Sequence, residues 1–192
     1  MGEVASVSNK DTLAQQTVLR SSVVPNILVV QCAMLSALAI VLGHALALVP
    51  NVEMVTLIIF VAGYHAGIRG GLITAATTAL YFNYLNPVGQ VFFPVLLGQC
   101  IGWGLTALVG AFFGSRKINN RVLFAIGGFV VTLFYQLIVN VAYVTISMSS
   151  CTLKEQVAII LAGLSFTVLH LASNTAVFAL LTEPLLKIIN RR

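Results

Sequence analysis

The sequence predicts an all-helical integral membrane protein, a bundle of six transmembrane helices whose two termini lie in the cytoplasm. Only 8% of the 192 residues are charged and 59% are hydrophobic, whereas a soluble domain carries about 25% charged residues. Apolar runs alternate with short segments that contain proline, glycine or basic residues, and a spanning helix needs about 20 apolar residues. We interpret residues 1–24 as a cytoplasmic tail and 25–192 as one six-helix transmembrane domain.

Prolines, glycines and charged residues divide the apolar sequence into six stretches. The second and third are short, and we interpret them as two short spans; the alternatives are one hairpin whose ends are buried in protein, or a re-entrant pair. The sixth exceeds one bilayer thickness, so it must tilt or break at Pro184. The predicted stretches are Asn26 to Val49, Val52 to about Gly67, Leu72 to Leu85, Phe92 to Phe113, Val122 to about Ile146, and about Gln156 to Ile188.

The distribution of basic residues predicts the orientation. With six spans, nine of the ten lysines and arginines fall on the side that carries both termini, and only Lys154 falls on the other. The positive-inside rule places the basic side in the cytoplasm, so we expect a multi-pass protein of the cytoplasmic membrane in contact with the lipid bilayer. The basic residues form no stripe interleaved with aromatic residues, so nucleic acid is not an expected partner.

Polar residues inside the spans are candidates for a binding site, because they are costly in lipid unless they have partners. In three spans they recur at helical spacing, so each set shares one face. We predict that these faces converge on one outward-opening pocket, lined by aromatic and amide groups and suited to a mostly uncharged, ring-bearing solute; alternatively, they form hydrogen bonds that only join the helices. The predicted solute-binding residues are His44, Asn51, Glu53, Tyr81, Asn83, Tyr84, Gln99, Trp103, Gln136, Asn140, Tyr143, His170 and Asn174.

Glu53 has two interpretations of its own. An acidic residue before the second span favours the positive end of the helix dipole, so Glu53 is a candidate helix cap. It is equally a candidate for the mouth of the pocket, where it would accept hydrogen bonds from the solute.

Small residues at four-residue spacing predict close helix contacts. Three glycine pairs are interpreted as packing positions within the chain. Ala33 and Ala37 differ, because they lie early in the first span, where another protein can dock. The glycine pairs are Gly63 and Gly67, Gly98 and Gly102, and Gly110 and Gly114.

The sequence gives little support to catalysis. It contains no HExxH or GxSxG motif and a single aspartate, Asp11, so we do not expect an enzyme. Its three cysteines form no CxxC pair, and no metal or other cofactor is predicted. No Walker motif is present, so any ATP-driven step requires partner subunits.

Two segments resemble the S components of energy-coupling-factor (ECF) transporters. They are Ala33-Met-Leu-Ser-Ala37, an AxxxA motif, and the stretch from Pro50-Asn-Val-Glu-Met-Val-Thr56 to Gly67-Ile-Arg-Gly-Gly-Leu-Ile-Thr74. The resemblance covers residues 26–115 and extends over the rest by helix count. It implies high-affinity binding of a vitamin or related micronutrient near the outer face, followed by uptake with a transmembrane T subunit and two cytoplasmic ATPase subunits. The AxxxA motif would contact the T subunit.

The resemblance leaves the solute open. A cobalamin-type solute is the first candidate, followed by riboflavin-like or other B vitamins. Some members that bind cobalamin ligate cobalt through a cysteine, and we assign none of the three cysteines to that position. Two other classes of protein stay open: a membrane scaffold, which would have no solute pocket, and a small membrane enzyme, which would have clustered acids or a metal site.

Overall fold

A computed structural model describes residues 27–189, except positions 48, 50, 87, 88, 90, 91, 148 and 149 and the side chains of 145–147. Within these residues the regular secondary structure is helical, and five helices, all but α5, are long and apolar enough to cross a membrane. The all-helical prediction is therefore confirmed for the described chain. The predicted tail, 1–24, lies outside the described residues. The helices are α1 (Ile27–Ala45), α2 (Val55–Tyr84), α3 (Phe93–Ser115), α4 (Arg121–Ser147), α5 (Leu153–Ala162) and α6 (Leu164–Ile189).

α2 reverses its direction at Gly67, which has φ 69° and ψ −170°. A Cβ atom added to Gly71 would lie 2.8 Å from the Gly63 Cα atom, although eight residues of straight helix extend about 12 Å. Glycine adopts positive φ without a steric penalty, which explains the position of the turn. The chain therefore divides where the sequence separates its second and third apolar stretches, into arms 55–66 and 68–84. Gly67 forms the turn itself and does not pair with Gly63 in helix packing.

Two glycines on α3 allow this helix to contact the first arm of α2 backbone to backbone. A Cβ atom on Gly110 would lie 2.1 Å from the Phe60 carbonyl oxygen, and one on Gly114 would lie 2.1 Å from the Tyr64 carbonyl oxygen. Because residue numbers rise together along both helices, the first arm and α3 run parallel. The predicted packing role is confirmed for these two glycines, since no larger residue fits at either position.

The same logic holds between α3 and α4. A Cβ atom on Gly98 would lie 3.2 Å from the Ala142 Cβ atom, and one on Gly102 would lie 2.7 Å from the Tyr135 ring. Here the numbers on one helix rise as those on the other fall, so α3 and α4 are antiparallel. The packing prediction is confirmed for Gly98 and Gly102 as well.

Two clusters of apolar side chains fill the interior. One surrounds Trp103, which is 1% exposed and stacks against Tyr135 with ring centroids 5.5 Å apart. The other surrounds Phe60, which meets the ring of Phe178 edge to face at 5.2 Å. Both clusters include residues of the α2 hairpin, which packs mainly against α3 and also meets α6, whereas α4 packs against α3 and α6.

The sixth predicted stretch was expected either to tilt or to break at Pro184, and the structure breaks it elsewhere. It divides at Gly163 into α5 and α6, and glycine is a poor helix former. α5 begins at Leu153, before the predicted Gln156, because Thr152 and Glu155 form a capping box. α6 continues through Pro184, which removes only one backbone donor.

The first predicted span is also shorter than expected. α1 ends at Ala45 and not at Val49. The Ala47 N–H donates to the His44 carbonyl over 3.2 Å, an i to i+3 bond that tightens the chain into turns beyond the helix end.

We predict that Gly110→Ala lowers the free energy of unfolding by about 1–3 kcal/mol, because the added methyl group meets the Phe60 carbonyl. The matched control is Gly104→Ala in the same helix, where the nearest atom is 3.8 Å away. This control should be neutral or stabilise by up to about 1 kcal/mol, since alanine favours helix. Unfolding of both variants in detergent tests the prediction, and equal effects would contradict the close contact.

Candidate functional site

The first polar group lies where the loop after α1 meets α6, and Glu53 is at its centre. The Oε1 atom of Glu53 accepts hydrogen bonds from the Thr56 hydroxyl and, over 3.2 Å, from Asn174 Nδ2. His170 Nε2 lies 3.8 Å from the same oxygen. His170 and Asn174 are four residues apart on α6, so they face Glu53 from one side of that helix.

Asn174 connects this group to α4. It is fully buried, and its Nδ2 atom lies 3.1 Å from the Thr132 hydroxyl and 3.3 Å from His170 Nε2. The Asn51 carbonyl accepts a hydrogen bond from the Ser173 hydroxyl, which ties the loop to α6. The predicted residues Asn51, Glu53, His170 and Asn174 are thus brought together from two distant parts of the sequence.

Glu53 does not cap α2. The N-cap residue is Met54, and no side chain makes a capping hydrogen bond to the first turn. Glu53 is instead turned towards α6 and the Thr56 side chain. The capping interpretation is therefore wrong, although the nearby helix N-terminus still favours a negative charge at this place.

The second polar group lies between the second arm of α2 and α3. The Asn83 amide donates to Gln99 Oε1 over 2.5 Å, and both side chains are buried. Tyr135 lies in the same part of the interior, where its ring is buried and stacks on Trp103.

His44 and Trp103 border the second group through their rings. The His44 ring stacks on the Phe82 ring with centroids 4.5 Å apart. The Trp103 ring meets the same Phe82 ring edge to face, with centroids 5.8 Å apart. Both were predicted to contact the solute, and the structure places both inside the bundle.

The third group is separate from these. Gln136, Asn140 and Tyr143 share one face of α4, as predicted, and they line a cavity of about 260 Å³ against Phe166, Thr167 and the α5–α6 junction. This face points away from Trp103, because successive residues of a helix differ by about 100° and Tyr135 takes the inward position. The structure thus divides the single convergent pocket of the prediction into separate groups.

Tyr81 and Tyr84 join none of the three groups. Their side chains are 54% and 74% exposed on the surface of the described bundle. Sequence reasoning missed Tyr135, Thr132, Thr56 and Ser173, which take part in the interior groups. Thr132 and Tyr135 are three residues apart, so their spacing already placed them on one face of the helix. Threonine and tyrosine are less costly in a membrane span than an amide, so they indicate a buried polar contact less clearly.

Ala33 and Ala37 are exposed on the outer face of α1. The opposite face of α1 packs on the second arm of α2, where the Ser36 hydroxyl donates to the Thr74 carbonyl over 3.4 Å. Cys32 makes a similar contact with the Gly70 carbonyl at 3.5 Å. The two alanines therefore take no part in the interior of the described bundle.

Unpartnered polar atoms mark the interior groups as candidate binding positions. Five buried side-chain nitrogen or oxygen atoms of the described residues have no hydrogen-bond partner there, and one belongs to Thr78. Buried polar atoms nearly always have a partner, either protein, water or a bound molecule. The other four belong to residues that the sequence predicted to contact solute: His44 Nε2, Asn83 Oδ1, Trp103 Nε1 and Asn174 Oδ1.

The chemistry of these groups is that of binding by hydrogen bonds. They offer one carboxylate, two imidazoles, amides and an indole N–H. Within the described residues no three His, Cys, Asp or Glu side chains come together as metal ligands, and Cys32, Cys100 and Cys151 are free.

We predict that Trp103→Ala lowers stability far more than Asn140→Ala does. Trp103 is 1% exposed in the aromatic cluster, so its truncation should cost about 3–5 kcal/mol. Asn140 is exposed at the third group, so its truncation should cost less than about 0.5 kcal/mol. Thermal unfolding in detergent measures both, and a large loss with Asn140→Ala would place that residue among the helix-joining contacts.

The chain was compared with protein-family models, with curated proteins and with solved structures. None of them matches it.

Proposed function

We propose that the chain is a multi-pass membrane protein that captures a small solute for uptake, as the S component of an ECF-type transporter. The observation that carries this proposal is the set of four unpartnered atoms on His44, Asn83, Trp103 and Asn174. Contacts that only join helices would satisfy both partners, because an unsatisfied buried group costs about 1–3 kcal/mol. A ring-bearing solute with hydrogen-bonding groups would satisfy such atoms.

The proposal includes six spans with both termini in the cytoplasm. The reversal at Gly67 supplies the sixth segment, since each arm of α2 runs along α3. Five described basic residues lie at the end of the bundle that contains Gly67, and Lys154 lies at the end that contains Glu53. By the positive-inside rule, Glu53 and its neighbours belong to the outer side, where a solute arrives. The five residues are Arg69, Arg116, Lys117, Arg121 and Lys187.

We predict that an impermeant thiol reagent labels a cysteine placed at position 88 in whole cells and does not label one placed at position 10. The native cysteines are replaced first, and labelling after cell lysis serves as the control for both positions. This pattern follows from the segregation of basic residues. Labelling of position 10 alone would reverse the orientation, and labelling of both would require an even number of spans between the two positions.

A docking surface for the T subunit is proposed on α1. Ala33 and Ala37 are exposed, and small residues four positions apart allow a second helix to approach closely in lipid. The two ATPase subunits would supply the energy, because this chain has no nucleotide-binding motif. The solute would be a vitamin or related micronutrient, with a cobalamin-type molecule as the first candidate.

We predict that Ala33→Val and Ala37→Val abolish solute uptake while the purified protein still retains its solute. The added methyl groups face away from the bundle, so they should block a partner helix without disturbing the interior groups. Mass spectrometry of small molecules released from the purified variants measures retention, and uptake is measured in cells with the complete transporter. Leu38→Ala on the same exposed face is the control.

Two results would contradict the proposal. Retention lost together with stability would place the alanines in the bundle core. Absence of any small molecule from the wild-type protein would favour the scaffold alternative.

A further inference from the structure

We infer that the solute carries a cationic group, such as a protonated amine, an amidine or a protonated nitrogen heterocycle, which binds the Glu53 carboxylate. This inference rests on the proposed function and deepens it. Sequence reasoning predicted a mostly uncharged solute, and the surroundings of Glu53 give the reason to revise that expectation.

The Glu53 carboxylate has one engaged oxygen and one free oxygen within the described part of the chain. Oε1 accepts from Thr56 and Asn174 and faces His170. No described residue donates to Oε2. The side chain is 19% exposed, so the carboxylate is reachable from the end of the bundle. A donor that arrives from that end meets an acceptor with an open position.

No basic side chain neutralises Glu53. Among the described residues, no lysine or arginine lies within 4 Å of its carboxylate. Lys154 is the one described lysine or arginine at this end, and it is exposed on α5. The partly buried negative charge is therefore left without a permanent positive partner.

His170 makes no hydrogen bond to the carboxylate within the described residues. Its Nε2 atom lies 3.8 Å from Glu53 Oε1, beyond hydrogen-bond distance, and 3.3 Å from Asn174 Nδ2. The imidazole therefore leaves the open position on the Glu53 carboxylate unfilled.

Asn174, which donates to Glu53 Oε1, carries a second unpartnered acceptor. It is fully buried, and its Oδ1 atom is one of the unpartnered atoms. Glu53 Oε2 and Asn174 Oδ1 are both acceptors, so a group with two or more N–H donors complements them and an anionic group is repelled. A buried carboxylate without a counter-charge is costly, and a cation that binds it gains more than a neutral donor does.

The test uses the full-length protein, purified in detergent at neutral pH, and the small-molecule fraction that it releases on denaturation. Mass spectrometry compares this fraction from wild type, Glu53→Gln and the matched control Glu155→Gln. Glu155 lies at the same end of the bundle, outside the group, and glutamine preserves its capping box. We expect wild type and Glu155→Gln to release the same cationic compound, and Glu53→Gln to retain it at least about 30-fold less tightly.

Stability measurements separate a binding role from a structural one. Glu53→Gln keeps the acceptor for Thr56 and Asn174 and removes the uncompensated charge, so the solute-free variant should melt no lower than wild type. Glu53→Asp, a second variant, keeps the charge and should retain the compound at an intermediate level. If Glu53→Gln does not fold, Glu53→Asp still tests whether the charge at this position binds the solute. Retention by Glu53→Asp as low as that of Glu53→Gln would contradict the role of the charge.

Each remaining outcome has a distinct meaning. A neutral or anionic compound from wild type, or equal retention by Glu53→Gln, overturns the inference and leaves solute capture intact. Release of no compound from wild type overturns solute capture itself, and the inference fails with it.

Discussion

The reversal of α2 at Gly67 is the constraint on which the rest of the bundle depends. It folds one helical segment into two arms that both pack along α3, with Gly63 and Gly71 in direct contact. The first arm starts beside Glu53, and the second arm ends beside Asn83. One glycine with positive φ therefore brings the two interior polar groups to the same end of the bundle. Without the reversal, Asn83 would lie far from Gln99 and Glu53.

In a lipid bilayer, polar contacts between helices contribute little to holding a bundle together, so polar groups in its interior point to another role. Helices in a bilayer gain no hydrophobic free energy from association, and a polar contact between them contributes only about 0.6 kcal/mol on average. Backbone contacts such as that of Gly110 with Phe60 already hold α2 and α3 together. The Asn83–Gln99 and Glu53–Asn174 contacts add little cohesion by comparison, and they leave two amide oxygens unpartnered. These two unpartnered oxygens are the reason why we propose that the groups bind a solute.

Much of the fold was predictable from the sequence, because lipid imposes long apolar helices whose ends coincide with Pro, Gly and charged residues. The break at Gly67 and the packing of Gly110 followed from residue type alone. The inward position of Tyr135 did not, because Gln136 fits the same amphipathic pattern with the helix turned by about 100°. The sequence also left open whether the sixth stretch tilts or breaks at Pro184, because a proline in a helix does not by itself decide between the two. The structure continues α6 through Pro184, next to the Glu183–Lys187 pair of 2.6 Å.

The remaining question about Glu53 is whether the helix N-terminus could replace a cationic solute as its counter-charge. Glu53 precedes α2, and such a dipole contributes about 0.3–1 kcal/mol to a nearby carboxylate and at most about 2 kcal/mol. The penalty for removing an ion from water is several kcal/mol, of which 19% exposure relieves only part. The Thr56 and Asn174 bonds reduce it further, but all of them act on Oε1. Oε2 is the oxygen left without a donor among the described residues, and a cation that enters from the end of the bundle supplies both the missing donor and the missing charge.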